Sequence, residues 1–448
     1  MDDYRLIADE VAADIMTGRL RPGGQLPTQR AFARRRGIAA STAGRVYREL
    51  ARRGLTVGEV GRGTFVRAGR GTAADDGRIP LAEPADAPID LELNYPTVPG
   101  QSELLAAALA PLLRADALGE ALRPVGAAGT AAARRAFADL LSTDAGDWGA
   151  DPGELLFAGN GRQAVAGALA ALVPPGRRLG VEALTYPVVK AVAGQLGIRL
   201  VPLAVDEHGL RPDALAAAHR AAPLSAVYVQ PRLHNPLGTS LPPERAAALV
   251  GELRRLDLPV VEDAIWSFLR PGSAPLAALA PERTVLVDSL SKRLAPGLTT
   301  GVAVVPDALR ERVAGALRAG GWTPNGFALE AAVRWIGDGT PTAVAAAKRA
   351  DATARQTLAR EVLAGQRLRA DPCSYYLWWE LPGAWRAETF VAAAARAGIS
   401  VTPAAAFAVD PRSTPSAVRV GLASPPLPVL GWALGVLAGI AGAGEGGG

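Results

Sequence analysis

The chain has 448 residues, 49% of them hydrophobic and 20% charged, which is too long for one ordinary core and suits a small domain joined to a large one. Its formal charge of +5 is uneven: residues 1–70 hold fourteen Arg, no Lys and seven Asp or Glu, whereas the rest, with 34 basic and 36 acidic side chains, is nearly neutral, so a polyanion partner is expected for the head alone. One cysteine, Cys373, and three histidines without ligand-like spacing, His208, His219 and His234, exclude an internal disulfide and a Cys- or His-rich metal site.

The opening residues MDDYRLIADE are acidic and amphipathic, unlike a signal peptide, and predict a cytoplasmic protein. Residues 4–16 place Tyr4, Ile7, Val11 and Ile15 on one helical face. Pro22-Gly23-Gly24 then breaks the chain, and a second helix is predicted from Pro27-Thr28, with Thr28 as N-cap, to near Gly37. A third opens at Ser41-Thr42, presents Ala43, Val46, Tyr47 and Leu50 on its apolar side and closes at Gly54. Leu55-Thr56-Val57 and Thr64-Phe65-Val66 flank the glycine turn Gly61-Arg62-Gly63 and read as two short strands. Three helices followed by a two-stranded wing describe a winged helix-turn-helix, an α+β head spanning residues 1–67. Residues 68–88, rich in Gly, Ala, Asp and Pro without periodicity, read as a linker.

From 89 to 448 the pattern alternates between β and α. Strand-like apolar runs occur at Leu155–Phe157, Ala226–Gln230, Pro259–Val261, Thr284–Val287 and Val302–Val305, with Ala- and Leu-rich helical segments between several of them. Such alternation predicts an α/β domain with a mostly parallel sheet. A smaller α+β unit is expected over roughly 346–448, with an aromatic strand at Tyr375–Trp379. The apolar stretch Leu427 to Ala441 is broken by Pro428, Gly431, Gly435 and Gly439 and is shorter than the ~20 residues of a membrane span, so a buried terminal helix and no membrane contact are expected.

The segment LPTQRAFARRRGIAASTAGRVYREL (26–50), followed by GRGTFV (61–66), resembles the GntR family of winged-helix repressors. The family's opening appears as Leu26-Pro27-Thr28-Gln29-Arg30, its recognition helix keeps Thr42, Arg45 and Tyr47, and its wing is Gly61-Arg62-Gly63-Thr64-Phe65-Val66. The resemblance implies a double-stranded DNA operator as partner. Arg45 would read a guanine edge, Arg30 would hold phosphate, and Ser41 and Thr42 would meet phosphate with hydroxyls and helix-start amides. Arg62 and Gly63 would bring the wing close to a groove. Ala40 stands where the family often has Arg, so base preference is expected to differ.

The segment Ser289-Leu290-Ser291-Lys292-Arg293-Leu294-Ala295-Pro296-Gly297-Leu298, with Gly301 beyond it, resembles the Schiff-base lysine segment of fold-type I aminotransferases that use pyridoxal 5'-phosphate (PLP). Other family motifs precede and follow it in the expected order. Asp263, after an apolar run, takes the place of the carboxylate that pairs with the pyridinium nitrogen. His234-Asn235-Pro236-Leu237-Gly238 resembles the loop whose Asn bonds the 3-oxygen, and Gly159-Asn160-Gly161-Arg162-Gln163-Ala164 the phosphate cradle at a helix start. Tyr186 matches the aromatic that stacks on the ring, and Arg419 the arginine that clamps a substrate carboxylate. The resemblance therefore implies a fold-type I PLP-dependent transferase-like domain. Lys292 would carry the cofactor, and Gly161, Arg162, Gln163, Tyr186, Asn235, Asp263, Ser289 and Ser291 would line its site. Two positions depart: Thr299 replaces an arginine that binds cofactor phosphate, and Trp266 replaces a tyrosine that supports the 3-oxygen. Losing a charge-assisted hydrogen bond, worth roughly 1.5–3 kcal/mol, predicts weakened PLP binding, with Arg162 as a replacement charge.

A GntR-like head on an aminotransferase-like body is the layout of the MocR subfamily, in which PLP, or an amine or amino acid reacting with it, acts as effector on DNA binding. The resemblance implies a homodimeric transcription regulator whose aminotransferase-like domain senses rather than turns over. Two alternatives stay open at this point: a working aminotransferase carrying a DNA module, and a PLP-independent regulator whose pocket serves another ligand.

Overall fold

The computed structural model describes residues 4–16, 19–20, 24–52, 55–59, 63–66, 87–297 and 299–443. The head begins with helix α1 (Tyr4–Met16) and a two-residue strand β1 (Gln25–Leu26) that the apolar pattern did not signal. Helix α2 (Gln29–Arg36) starts where Thr28 accepts the Ala31 amide at 3.3 Å and stops at Gly37, whose φ of 64° favours glycine. Helix α3 (Ala40–Arg52) starts one residue ahead of the expected Ser41, so Ser41 and Thr42 lie inside its first turn. Ala43, Val46, Tyr47 and Leu50 are all buried, as their spacing requires. Strands β2 (Thr56–Glu59) and β3 (Gly63–Val66) pair antiparallel, and β1 joins the other edge of β3. The head's core is closed by Val11, Phe32, Val46 and Leu50, with the Tyr47 ring edge-on to Phe32. The expected turn residues Gly61 and Arg62, the stop at Gly54, the head's last residue Arg67 and positions 68–86 of the expected linker lie outside the described residues.

In the body a seven-stranded sheet is built from β5 (Leu155–Ala158), β6 (Arg178–Glu182), β7 (Arg199–Leu203), β8 (Ala226–Val229), β9 (Val260–Asp263), β10 (Thr284–Ser289) and β11 (Gly301–Val304). Their order is β5-β11-β10-β9-β8-β6-β7, and only β11 runs against its neighbours. The five anticipated runs are strands here. β6 and β7 were not anticipated, because each carries charged or proline positions that break a clean apolar run. β8 to β11 are buried at every position, which is the pattern of a sheet covered on both faces.

A smaller antiparallel sheet comprises β12 (Arg367–Arg369), β13 (Tyr376–Glu380), β15 (Thr402–Pro403) and β16 (Ala417–Gly421), in the order β12-β13-β16-β15. A long helix, α8 (Thr340–Val362), packs against it and against the large sheet's lysine segment. Beside it, β14 (Ile399–Ser400) pairs in parallel with β4 (Ile89–Asp90), so the first described residues of the body belong to the small unit. The terminal apolar stretch is a helix (Leu427–Ala443) whose Leu430, Leu434 and Leu437 are buried, while Trp432 is 57% exposed. Among the described residues no helix is long and apolar enough to cross a membrane.

Candidate functional site

The carboxyl ends of β6, β8, β9 and β10 and the loop after β5 face one crevice, the place where open α/β sheets hold ligands. β9 ends in Asp263, which is buried. The Tyr228 hydroxyl donates to its Oδ2 at 2.5 Å, Gln230 Nε2 to the same oxygen at 3.0 Å, and the Ile265 amide to Oδ1 at 3.1 Å. Burial raises the Asp263 carboxyl and these donors pull it back, so its charge depends on hydrogen bonds in place of solvent. Gln230 also accepts the Asn235 amide at 3.1 Å, so one side chain ties Asp263 to the HNPLG loop.

From that loop Asn235 Oδ1 accepts Arg419 Nη1 at 3.4 Å. Arg419 lies on β16, buried, and gives Nη2 to Thr402 Oγ1 at 3.0 Å and to the Glu92 carbonyl. Burial lowers it to about 10, and its Nε finds no partner among the described residues. A buried guanidinium with an unused donor is suited to a carboxylate.

Lys292 follows β10 on a one-turn helix (Leu290–Arg293). Its amine donates to the Asn94 carbonyl at 2.5 Å and lies 3.9 Å from the Tyr95 ring centre and 5.2 Å from that of Trp266. Burial, with the charges of Arg162, Arg419 and Lys348, pushes it well below the ammonium range. A neutral amine is the form that attacks a carbonyl carbon. The backbone of this turn is held from α8: the buried Lys348 amine donates to the carbonyls of Lys292 at 2.9 Å and Leu294 at 2.8 Å, and burial lowers it to about 7. The remaining lysine, Lys190, gives its amine to the carbonyls of Ala405, Ala406 and Ala408, and burial lowers it to about 8.

The loop after β5 leads into helix α4 (Gly161–Leu172). Asn160 caps it by accepting the Gln163 amide at 3.0 Å, which leaves the amides of Gly161 and Arg162 as those a helix start cannot satisfy internally. Two glycines allow this start to reach β10 and β11. A Cβ on Gly161 would stand 3.0 Å from Ser289 Oγ, and one on Gly301 only 2.3 Å from the Asn160 carbonyl oxygen. Opposite lies a row of hydroxyls: Ser289 Oγ to Ser291 Oγ at 3.1 Å, and Ser291 Oγ to Thr299 Oγ1 at 2.8 Å. Thr299 thus joins the row from the position of the expected arginine. Arg162 Nη2 reaches the Tyr95 hydroxyl at 3.5 Å, and the Tyr186 phenol lies near enough to the same guanidinium to help raise its pKa. Trp266 packs among Phe268, Tyr375 and Tyr376, walling the crevice with carbon where the expected tyrosine would offer a hydroxyl.

These groups fit PLP: a buried amine whose pKa is pushed down, a buried carboxyl set for a ring nitrogen, and an anion cradle of amides and hydroxyls that any Cβ at Gly301 would close. Asn94, Tyr95, Tyr228, Gln230 and Lys348 were not anticipated. Their contacts join residues far apart in the chain, and no spacing announces them.

In the head, Arg30, Ser41 and Arg45 are exposed, Thr42 is half-buried, and Gly63 is exposed with a φ of 115°. Ser41, Arg45 and Arg48, at helical spacing, form one outward stripe of α3, and Arg45 has no carboxylate partner among the described residues. Tyr47 faces inward instead: its hydroxyl donates to the Pro27 carbonyl at 2.5 Å, and burial pushes it up to about 12. It fixes the angle at which α3 leaves α2.

The sequence profile described as bacterial regulatory proteins, gntR family, matches residues 3–66, and that of aminotransferase class I and II matches residues 87–430. An uncharacterized HTH-type transcriptional regulator of Bacillus subtilis, YdeF, is 28% identical over 94% of this chain and 90% of its own. The HTH-type pyridoxine biosynthesis transcriptional regulator PdxR of Corynebacterium glutamicum is 27% identical over 67% of this chain and 65% of its own. Among solved structures, an archaeal alanine:glyoxylate aminotransferase superposes with a TM-score of 0.73 at 20% identity, over 80% of this chain and 92% of that one.

Proposed function

Because the chain belongs to the aminotransferase class I and II family and carries ahead of it a GntR-family regulatory head, the MocR arrangement, we propose that it is a cytoplasmic, homodimeric transcription regulator that binds operator DNA through the head and PLP through the body. The observation that carries the PLP part is the placement of the buried Lys292 amine, pushed down in pKa by burial and neighbouring cations, among Asp263, Asn235 and the cradle of Gly161, Ser289, Ser291 and Thr299. PLP, when bound, supplies an aldehyde for a lysine amine and a ring that withdraws electrons.

The chain's own residues do the rest. Asp263, its carboxylate form favoured by the donors Tyr228, Gln230 and the Ile265 amide against burial, would hold a proton at the ring nitrogen. Asn235 orients the ring oxygen from a loop that Gln230 keeps in register. The amides of Gly161 and Arg162 and the hydroxyl row receive the phosphate, largely without formal charge. Arg419, with its unused Nε, takes the carboxylate of an amino-acid effector. A grip that relies on neutral donors suits a sensor, whose occupancy follows the concentration of what it senses.

Titrating the full-length protein with PLP tests the reading. The expected result is a visible absorption band that borohydride removes and that Lys292→Ala lacks, with DNA affinity that depends on PLP. A wild-type protein that shows no band at millimolar PLP would sink the PLP reading, and steady turnover of an amino acid with a keto acid would make the body an enzyme.

A further inference from the structure

We propose that residues 90–95 form a strap that reads the ligand site and passes its state toward the head, with Asp90 and Tyr95 as positioning residues. The inference rests on the PLP-sensing reading above. Three groups that would face a ligand are each engaged by this one stretch of chain. Arg419 donates to the Glu92 carbonyl, Lys292 donates to the Asn94 carbonyl at 2.5 Å, and Tyr95 lays its ring 3.9 Å from the Lys292 amine and its hydroxyl 3.5 Å from Arg162. The strap therefore touches the places assigned to an effector's carboxylate, to the cofactor's aldehyde and to its phosphate.

Two of those contacts change when ligand binds. Lys292, on condensing with an aldehyde, forms a carbon–nitrogen double bond and releases water; its nitrogen then keeps at most one hydrogen, fixed in the plane of the double bond, so its contact with Asn94 must change. Arg419, on taking a carboxylate, has less to give Glu92. The strap also carries a built-in discomfort. The Asn94 side chain is buried, and neither its Oδ1 nor its Nδ2 has a hydrogen-bond partner among the described residues. A buried amide left without partners favours any rearrangement that lets it find them.

The other end of the strap is anchored. Asp90 Oδ1 accepts the amides of Glu92 at 2.7 Å and Leu93 at 3.0 Å, a turn that fixes how the strap leaves β4. β4 itself is held to the small unit by Ile89 N to Gly398 O and Leu91 N to Ser400 O, both 3.0 Å. Residues 67–86, between the two family matches, lead directly into β4. Any shift at Asn94 thus has only a few residues, stiffened by the Asp90 turn, to cross before it reaches the connection to the head.

The test uses the full-length protein and PLP alone as probe. Hydrogen exchange of the strap amides and affinity for a DNA fragment selected from a random library are measured with and without PLP, each variant at its own saturating concentration, with saturation judged by the visible band. Wild type is expected to change exchange at Leu91 to Leu93 and to change DNA affinity several-fold. Asp90→Ala should keep the band but lose most of the PLP effect on DNA, and Asp90→Asn, which retains the accepting oxygen, should restore it. Tyr95→Ala should lose the effect as well. Strap exchange indifferent to PLP while DNA affinity responds, or Asp90→Ala and Tyr95→Ala responding like wild type, would overturn the strap and leave the sensing reading intact. A wild type with no band would remove the sensing reading itself.

Discussion

A single substituted position sets how tightly the crevice can hold an anion. Thr299 closes a row of neutral hydroxyls, and Arg162 is shared between the phenols of Tyr95 and Tyr186. Thr299→Arg is expected to tighten PLP about tenfold, since a charge-assisted hydrogen bond is worth roughly 1.5–3 kcal/mol, and Arg162→Ala to weaken it by a comparable factor. Titration of the visible band measures both, and an affinity that falls in Thr299→Arg and stays unchanged in Arg162→Ala would discard the idea. In the head, Arg45 stands on the outward stripe of α3 with no carboxylate partner among the described residues, while Arg30 faces out from α2. Arg45→Ala should cost ~1–3 kcal/mol of specific binding and relax preference at one base position, whereas Arg30→Ala should weaken specific and non-specific DNA alike. Equal binding by both variants and wild type in an anisotropy titration would displace α3 from the groove.

Between elements, the lysine turn depends on α8. Lys348 is neutral in the fold above about pH 7, whereas in the unfolded chain it stays charged up to the ordinary ammonium range. Across that window the unfolded chain binds the extra proton, so stability climbs with pH. The urea midpoint of wild type should therefore rise as pH is raised above about 7, and Lys348→Met, although less stable for its two lost hydrogen bonds, should show a flatter rise; parallel profiles would contradict the assignment. This contact marks the limit of what sequence conveys. Ser289, Lys292, Gly301, Asp263 and Asn235 announce themselves because each sits at a fixed offset within its own strand-to-loop junction. The strands β8 to β11 are legible for the same local reason, as unbroken apolar runs. Lys348 and Asn94 meet Lys292 across 56 and 198 residues through backbone carbonyls that carry no identity of their own. Their roles depend on which backbone oxygen the fold happens to bring within reach.

At the scale of the whole molecule the expectation is a dimer. The segment from 101 to 122 leaves Leu104, Leu113 and Leu122 exposed by 45%, 66% and 68%, large apolar side chains of the kind that association covers. Light scattering at micromolar concentration should give twice the chain mass, and Leu113→Glu combined with Leu122→Glu should shift it toward monomer; a monomeric wild type that still binds DNA would refute the expectation. The distribution of lysine has a practical consequence for anyone measuring occupancy. An aldehyde offered to most proteins decorates their surface amines at random, and chemical trapping then overcounts. Here the chain has three lysines in all: Lys348 is fully buried, Lys190 gives its amine to three carbonyls, and Lys292 is the one turned toward the crevice. Pyridoxyl groups fixed per chain by reduction should therefore count filled sites directly, making this protein its own gauge of how much cofactor a cell extract contains.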